Sequence, residues 1–218
     1  MIPDRRAFIR ANTQLKSVPH VPEISLYVAD ESVPLWLKTE EELETIGLPP
    51  PYWAFAWAGG QALARYVLDN ASDVAGKRVL DLASGSGLVA IAAAKAGAAP
   101  VVAADIDGFA EAAISLNGEA NGVYVDVVVH DLLDSAASAT PRYDVILVGD
   151  LFYERDTAAR AVVFLDRHAA AGARVLIGDP GRTYLPKERL TRLAEYSVPV
   201  TRELEDLEIK RTAVWELL

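Results

Sequence analysis

The chain has 218 residues, of which 51% are hydrophobic, contains no cysteine and carries a formal net charge of −10 at pH 7. This length supports one domain with one large core, and the lack of cysteine excludes disulfides, thiolate metal sites and a cysteine nucleophile. The negative charge disfavours nucleic acid as a partner, because phosphates are repelled, and the three histidines lie too far apart along the chain to suggest a multi-histidine metal site.

The N-terminal residues carry no recognisable targeting signal. Residues 1–15 contain arginines but neither the apolar core nor the small-residue cleavage site of a secretory signal. They are also serine-poor and are interrupted by Asp4, which is untypical of a mitochondrial presequence. No apolar run reaches the roughly 18 to 20 residues of a membrane span. We therefore expect a cytoplasmic protein without a membrane partner.

The first third of the chain predicts a helix, a strand and an extended connection. Residues 1–16 have the pattern of an amphipathic helix, and residues 24–29 that of a short strand. Residues 31–53 are charged and then proline-rich, which predicts an extended connection. A helix is expected over residues 61–70.

From residue 77 onward, strands and helices alternate. The predicted strands are 78–82, 100–104, 125–129, 143–149 and 174–178, and the predicted helices are 85–96, 109–121, 155–170 and 187–195. The runs 196–203 and 208–217 have no helix between them and are expected to pair antiparallel. Together these elements predict a single α/β domain over residues 1–218, with a Rossmann-like, mostly parallel seven-stranded sheet, a C-terminal antiparallel hairpin and helices on both faces. Residues 1–60 would be an extension with an aromatic lid on a core of residues 61–218.

A small-residue loop follows the first strand of this core. Asp81 is followed by Ala83, Gly85 and Gly87 at alternate positions before the next helix. Glycine lets a ligand approach the backbone closely, and the helix N-terminus offers N–H groups to a carboxylate. No glycine stands three residues after Gly87, so the dinucleotide fingerprint is incomplete. The loop resembles motif I of the class I S-adenosylmethionine-dependent methyltransferases; a plain tight turn is the alternative.

Acidic residues follow the next two predicted strands. Asp105, followed by Ile106, stands about 20 residues after the loop, where an acid binds ribose hydroxyls in dinucleotide folds. Asp107 is better explained as a helix N-cap. In the class I pattern, Asp131 would meet the adenine amino group and Leu132 would pack on the ring. For the neighbouring His130 we favour a satisfied structural histidine.

Two acids and two aromatic residues follow the strand over residues 143–149. Asp150, Tyr153 and Glu154 would suit an acceptor that is a cation at rest, because carboxylates hold an ammonium and aromatic faces bind it through cation–π contact. Phe152 fits the core equally well. Upstream, residues 52–57 hold four aromatic side chains, which could form either a core plug or a lid over cofactor and substrate.

Four segments together resemble the lysine methyltransferases of the electron-transfer flavoprotein beta subunit. They are PPPYWAFAWAGGQALARY, VLDLASGSGLVAIAAAKAGA, GDLFYE and IGDPGR, and the resemblance spans nearly the whole chain from about Pro49. It implies a protein-lysine N-methyltransferase that uses S-adenosylmethionine without a metal and acts on that subunit. The catalytic residues would be Asp150, Tyr153 and Glu154, and the cofactor residues would be Trp57, Asp81, Ala83, Gly85, Gly87, Asp105, Ile106, Asp131, Leu132 and Asp150. Because the mitochondrial members carry a presequence, we expect a bacterial, cytoplasmic relative.

Other functions stay open at this point. A small-molecule N-methyltransferase acting on an amine or pyridine, and a ribosomal-protein lysine methyltransferase, share the glycine loop. A non-enzymatic S-adenosylmethionine-binding module is disfavoured by the acids and aromatic residues after Gly149. Amide or glutamine methylation is disfavoured because Asp150-Leu151-Phe152-Tyr153 stands where those enzymes carry an Asn-Pro-Pro-Tyr type signature.

Overall fold

The computed structural model describes residue 2 and residues 4–29, 50–134, 142–200 and 208–218. The strands are β1 (Gln14–Val18), β2 (Val21–Val28), β3 (Val79–Leu82), β4 (Val101–Asp105), β5 (Asp126–Val129), β6 (Val145–Gly149), β7 (Arg174–Asp179), β8 (Leu190–Pro199) and β9 (Ile209–Leu217). The α-helices are α1 (Arg5–Asn12), α2 (Ala58–Asp69), α3 (Leu88–Lys95), α4 (Gly108–Asn121) and α5 (Arg155–Ala170). None of the helices in these ranges is long and apolar enough to span a membrane.

The main sheet in the described part of the chain has seven strands in the order β5-β4-β3-β6-β7-β9-β8. Strands β3 to β7 pair in parallel, whereas β9 runs antiparallel to both β7 and β8. This confirms the predicted α/β fold with a C-terminal antiparallel pair. The chain leaves β3 in one direction toward β4 and β5 and returns on its other side as β6, so a crevice opens at the carboxyl end of β3.

Two hydrophobic cores lie on the two faces of this sheet. All four residues of β3 are buried, as expected for a central parallel strand covered on both faces. Along β7, Leu176 belongs to the core that includes Leu63 and Ile91, whereas Ile177 belongs to the core that includes Phe164. Successive side chains of a strand point to opposite faces, so one apolar run supplies both cores.

Glycines allow the N-terminus of α2 to lie directly against the ends of β6 and β7. A Cβ atom on Gly59 would overlap the carbonyl oxygen of Gly178, and a Cβ atom on Gly178 would overlap the carbonyl oxygen of Gly59. A Cβ atom on Gly149 would lie 3.1 Å from the Cα atom of Gly60. This close approach brings the first turn of α2 to the edge of the sheet where the candidate site lies.

The N-terminal segment differs from the predicted helix over residues 1–16. Helix α1 begins where the Asp4 side chain accepts a hydrogen bond from the backbone N–H of Ala7, at 2.9 Å, and it ends at Asn12. Residues 14–18 instead form β1, which pairs antiparallel with β2. Pairing with the next strand along the chain overrides the local helical pattern. The predicted extended connection over residues 31–53 lies mostly outside the described residues.

The predicted helix over residues 187–195 is wrong. Only Lys187–Arg189 form a short 3-10 turn, and the chain then continues as β8. The spacing of Leu190 and Leu193 suits a helix, but β8 pairs with β9 along its whole length, with a register shift between Arg192 and Ala194. Backbone pairing at the sheet edge therefore decides the conformation that the local sequence left ambiguous.

Candidate active site

A cavity of about 650 Å³ opens at the carboxyl ends of β3, β4 and β6. The structure brings nearly all the residues predicted from sequence to this one cavity: Trp57, Asp81, Ala83, Gly85, Asp105, Ile106, Asp131, Leu132, Asp150, Tyr153 and Glu154. Gly87 is not among its lining residues. At Gly87 the backbone φ is 82°, and a Cβ atom would lie 3.1 Å from the Ile114 side chain. This glycine therefore lets the loop turn into α3 and pack against α4.

The glycine loop turns sharply and leaves open space above it. Ala83 and Gly85 both have positive φ, at 56° and 54°. A Cβ atom on Gly85 would meet nothing closer than the backbone oxygen of Tyr52, at 3.8 Å. A side chain at this position would thus project into the gap between the loop and the aromatic segment. Glycine keeps that gap open for a ligand.

Asp81 is buried beneath this loop, with 1% of its surface exposed. Its Oδ2 accepts hydrogen bonds from the Ser84 hydroxyl, at 2.5 Å, and from the backbone N–H of Ala90, at 3.0 Å. Burial raises the pKa of the Asp81 carboxyl to about 7. The side chain therefore fastens the loop to the first turn of α3 and sits at the floor of the cavity.

Asp105 joins the glycine loop to the end of β4. Its Oδ2 accepts a hydrogen bond from the backbone N–H of Gly85, at 2.8 Å, and its Oδ1 accepts one from the backbone N–H of Asp107, at 3.0 Å. Asp107 caps α4 by accepting from the N–H of Phe109, which confirms the prediction of an N-cap. Beside them Ile106 is 73% exposed, which leaves an apolar surface at the cavity.

Beyond β5 the cavity is lined by His130, Asp131 and Leu132. The Asp131 carboxylate accepts hydrogen bonds from Arg160 of α5, at 2.7 Å, and from the backbone N–H of Leu133, at 2.9 Å. Burial acts to raise the pKa of Asp131, but the hydrogen bonds from Arg160 and Leu133 and the charge of Arg160 together outweigh it and hold the pKa below its ordinary value. His130 is exposed, so its interpretation as a satisfied structural histidine is wrong. Arg160 was not foreseen, because only the packing of α5 brings it here.

On the other side of β3, Asp150 is buried and held from two directions. Its Oδ2 accepts a hydrogen bond from the backbone N–H of Gly60, at 3.1 Å, and its Oδ1 accepts from the Arg182 guanidinium, at 2.9 and 3.2 Å. Its φ of 54° is uncommon for a residue other than glycine. The end of β6, the start of α2 and the loop after β7 thus converge on one carboxylate.

The loop after β7 is shaped by Asp179. This side chain is 1% exposed, and its Oδ1 accepts hydrogen bonds from the backbone N–H groups of Gly181 and Arg182, both at 2.6 Å. Burial raises the pKa of Asp179. The resulting turn directs Arg182 inward to Asp150. The segment IGDPGR gave no indication that Arg182 pairs inward with Asp150.

Tyr153 and Glu154 lie at the mouth of the cavity. Tyr153 is 48% exposed, and its ring centroid lies 5.9 Å from that of Tyr52. Burial, the neighbouring Tyr52 and the negative charges of Glu154 and Asp105 raise the pKa of Tyr153 to about 12. Glu154 precedes α5 and accepts a hydrogen bond from the Thr157 hydroxyl, at 2.8 Å. By contrast, Phe152 is fully buried, so it belongs to the core.

All four aromatic residues of the aromatic segment line the cavity. Trp53 and Phe55 are also buried in the core, and Trp53 stacks on Phe109 with ring centroids 5.8 Å apart. Tyr52 is exposed and Trp57 is half-buried, and the Trp57 indole N–H donates to the backbone oxygen of Tyr52 at 2.9 Å. The segment is therefore both a core plug and a wall of the cavity.

The chain is similar over almost its whole length to one group of animal enzymes. The electron transfer flavoprotein beta subunit lysine methyltransferase of mouse is 38% identical, with 98% of this chain and 84% of the mouse protein covered. The human protein of the same name is 36% identical, with coverages of 98% and 82%, and the zebrafish protein is 39% identical, with coverages of 97% and 83%. The chain belongs to this family of lysine methyltransferases. It is therefore an S-adenosylmethionine-dependent methyltransferase.

More distant similarities agree with the fold of this methyltransferase. Residues 61–151 match the family model of ribosomal protein L11 methyltransferase. The crystal structure of the ribosomal protein L11 methylase from Lactobacillus delbrueckii subsp. bulgaricus superposes with a TM-score of 0.53 at 23% identity, covering 73% of this chain and 79% of that one. Magnesium protoporphyrin IX methyltransferase from Synechocystis PCC 6803, solved with bound S-adenosylmethionine, gives a TM-score of 0.51 at 16% identity, with coverages of 73% and 78%.

The expectation that this methyltransferase is a bacterial, cytoplasmic relative is wrong. Family members from mouse, rat, zebrafish and human match nearly the full chain, and another match comes from Caenorhabditis elegans. The inference rested on the lack of a presequence, and the residues at the start of a sequence say little about the source of the rest.

Proposed function

We propose that this methyltransferase transfers the methyl group of S-adenosylmethionine to lysine side chains of the electron transfer flavoprotein beta subunit. The observation that carries the proposal is the cavity itself, where carboxylates stand on both sides of β3 and tyrosines stand at the mouth. A negatively charged, aromatic site suits a cationic donor and an acceptor that is a cation at rest. The names of the full-length relatives supply the identity of the protein substrate.

The glycine-loop half of the cavity fits the cofactor. The open gap above Gly85 accommodates a ligand close to the backbone, and Asp105 presents carboxylate oxygens to ribose hydroxyls. The exposed side chain of Ile106, together with Leu132, offers an apolar surface to the adenine ring. Asp131 would accept from the adenine amino group. When bound, the cofactor supplies a methyl group that is already activated by its sulfonium.

Three further residues complete the proposed cofactor site. Asp81 and Ala83 line the cavity near where the positive charge of the amino acid part would lie, and Trp57 forms part of its wall. We also propose that residues 1–60 form the extension and lid of a single domain. In support, Tyr52 and Trp57 face the cavity while Trp53 anchors the same segment in the core.

The β6 half of the cavity fits the lysine. The amine must lose its proton before its nitrogen attacks the methyl carbon, and a partly apolar site lowers its pKa from about 10.4. With its pKa raised to about 12, Tyr153 keeps its proton at neutral pH, so it orients the amine and does not act as the base. Glu154 and Asp150 would hold the ammonium before water takes the proton. Alignment of the reactants supplies roughly 7 to 11 kcal/mol of the barrier reduction.

A transfer assay tests the proposal. The purified protein is incubated with radiolabelled S-adenosylmethionine and recombinant beta subunit, in parallel with ribosomal protein L11, because residues 61–151 match the L11 methyltransferase family model. Label in lysines of the beta subunit is the expected result. Label in L11 would instead assign the protein as a ribosomal-protein methyltransferase. In a further incubation with a cell lysate, label found only in the small-molecule fraction would assign it as a small-molecule N-methyltransferase.

We propose further that transfer needs no metal ion and that nucleic acid is not a substrate. The sulfonium methyl needs no Lewis acid for activation, and a net charge of −10 repels phosphates. Transfer in excess chelator should equal transfer in buffer. Activity that is lost in chelator and restored by magnesium would contradict the first statement, and label in added RNA would contradict the second.

A further inference from the structure

Tyr52 lies at the cavity mouth on a segment far along the chain from the other residues assigned to the lysine. It begins the short turn Tyr52–Ala54, and 47% of its surface is exposed. Its backbone is fixed on two sides, because its N–H donates to the Pro50 oxygen at 2.8 Å and its oxygen accepts from the Trp57 indole at 2.9 Å. The ring is thus held on a rigid support and still reaches the cavity.

The Tyr52 ring joins two other aromatic rings of the same cavity. Its centroid lies 5.9 Å from that of Tyr153, with the planes at 47°, and 6.1 Å from that of Trp57, with the planes at 57°. Both distances fall in the range of favourable aromatic pairs. The hydroxyls of Tyr52 and Tyr153 also share a hydrogen bond, one of the causes that raise the pKa of Tyr153.

The core does not require an aromatic residue at position 52. Trp53 and Phe55 of the same segment are 2% and 5% exposed and provide its apolar anchors, whereas Tyr52 leaves about half of its surface in contact with solvent. An exposed aromatic ring that is fixed by its backbone and pairs with a second tyrosine at a cavity mouth has the character of a binding surface.

We propose that Tyr52 and Tyr153 together form one aromatic wall of the cavity mouth, along which the acceptor lysine lies, so that Tyr52 is a substrate-contacting residue supplied by the N-terminal segment. This inference rests on the proposed function. The apolar stem of the lysine packs on the open faces of the paired rings, and its ammonium meets those faces and the Glu154 carboxylate. The site therefore selects an unbranched cationic side chain, and it retains contact with the ammonium after a methyl group has been added.

Substitutions at position 52 test the aromatic wall. Tyr52→Phe keeps the ring, Tyr52→Leu keeps apolar volume without a π face, and Tyr52→Ala removes both. We expect KM for the beta subunit to rise by about tenfold in the Ala and Leu variants and by less than threefold in the Phe variant. A tenfold rise corresponds to the loss of a partly desolvated cation–π contact. Tyr124→Ala, which removes a tyrosine that is 81% exposed outside the cavity, is the matched control and should behave as wild type.

Two accompanying measurements separate contact from folding. In every variant, the melting temperature should stay within a few degrees of wild type. The calorimetric affinity for the cofactor should stay within about threefold of wild type. Wild-type KM in Tyr52→Ala, or equal KM in the Leu and Phe variants, would overturn the inference while leaving the proposed function intact. A loss of cofactor affinity that matches the loss of transfer would overturn it as well, because Tyr52 would then act through Trp57.

A binding assay keeps the test independent of the protein substrate. With S-adenosylhomocysteine bound, Nε-trimethyl-lysine amide is titrated and followed by calorimetry. We expect millimolar binding to wild type and to the Tyr124→Ala control, and about tenfold weaker binding to Tyr52→Ala. If the beta subunit is not methylated but Tyr52→Ala still weakens trimethyl-lysine binding, the proposed protein substrate is wrong and the role of Tyr52 in binding the lysine is supported. Absent binding to wild type, or equal binding to Tyr52→Ala, overturns the wall.

Discussion

The two halves of the cavity hold their carboxylates in different ways. On the glycine-loop side, the hydrogen bonds found for Asp81 and Asp105 come from one serine hydroxyl and from backbone N–H groups of the loop and the following helix starts. On the β6 side, Asp150 is held by Gly60 of α2 and by Arg182 of the loop after β7. The first half is built from neighbouring loops, and the second depends on three separate elements meeting.

This difference suggests that the two halves respond differently to substitution. Substitutions on the glycine-loop side should weaken the binding of a ligand that lies on the loop and leave the sheet intact. Substitutions where α2 meets β6 and β7 should disturb the fold itself, because an added side chain there would overlap backbone atoms. Substitutions at the mouth of the cavity, where Tyr153 and Glu154 are exposed, should leave the fold intact and weaken only the binding of the substrate.

The largest effect is expected at the contact of α2 with β7. Gly59→Ala places a Cβ atom against the Gly178 carbonyl and the Asp150 carboxylate, so it should cost about 4 kcal/mol or more of stability. For a chain of this size that lowers the melting temperature by roughly 8 to 16 °C. In Gly60→Ala the new Cβ atom meets only Leu88 and Val89, at 3.8 and 3.9 Å, and the helix gains propensity. Equal melting curves for the two variants would show that the close approach of α2 to β7 does not constrain the fold.

Asp105→Asn tests the glycine-loop side. The amide cannot accept the N–H groups of both Gly85 and Asp107, and it presents less charge to the ribose. We expect cofactor affinity to fall by about 10- to 100-fold, since a hydrogen bond to a charged group contributes roughly 1.5 to 3 kcal/mol, with only a small change in melting temperature. Asp107→Asn keeps the N-cap of α4 and should bind normally. Calorimetry at fixed salt compares the two; unfolding without loss of affinity in folded Asp105→Asn would contradict the assignment.

Glu154→Gln and Tyr153→Ala probe the cavity mouth. Transfer to the beta subunit should fall by about tenfold in each variant. This is the lower end of the range for a charge-assisted contact, because both side chains are exposed to solvent. Tyr153→Phe should retain most transfer, because the ring remains. Asp156→Asn changes a carboxylate in the same helical turn that does not line the cavity, so it is the control. Full transfer by Tyr153→Ala and Glu154→Gln would remove this segment from the substrate site.

The smallest effect is a pH dependence of stability from Asp81. Its pKa of about 7 in the fold lies above the unfolded value, so the folded state keeps a proton that the unfolded state has lost. Stability of the unliganded protein therefore falls as pH rises from about 4 through about 7, by about 1 kcal/mol between pH 6 and pH 7. Denaturant titrations at the two pH values measure it. Asp81→Asn should lose this dependence, and an unchanged slope in that variant would assign the effect elsewhere.

The sequence alone determined the alternation of elements and the cofactor half of the site. Asp81, Gly85 and Asp105 stand at strand ends that a βαβ pattern locates, and local turns bring their neighbours together. Asp107 was recognisable as an N-cap for the same reason, since its partner, Phe109, is two residues away. Such residues can be predicted from one sequence because most of their hydrogen-bond partners lie only a few positions away along the chain.

Only the tertiary structure decided which residues from distant elements complete the cavity. Arg182, Arg160 and Tyr52 reach it from a loop, a helix face and an upstream turn, and no local spacing relates them to their partners. The strand over residues 190–199 was likewise decided by pairing with β9, against a pattern that also suits a helix. Such contacts depend on the register and packing of elements far apart in the chain, where backbone pairing and close approach outweigh local propensity.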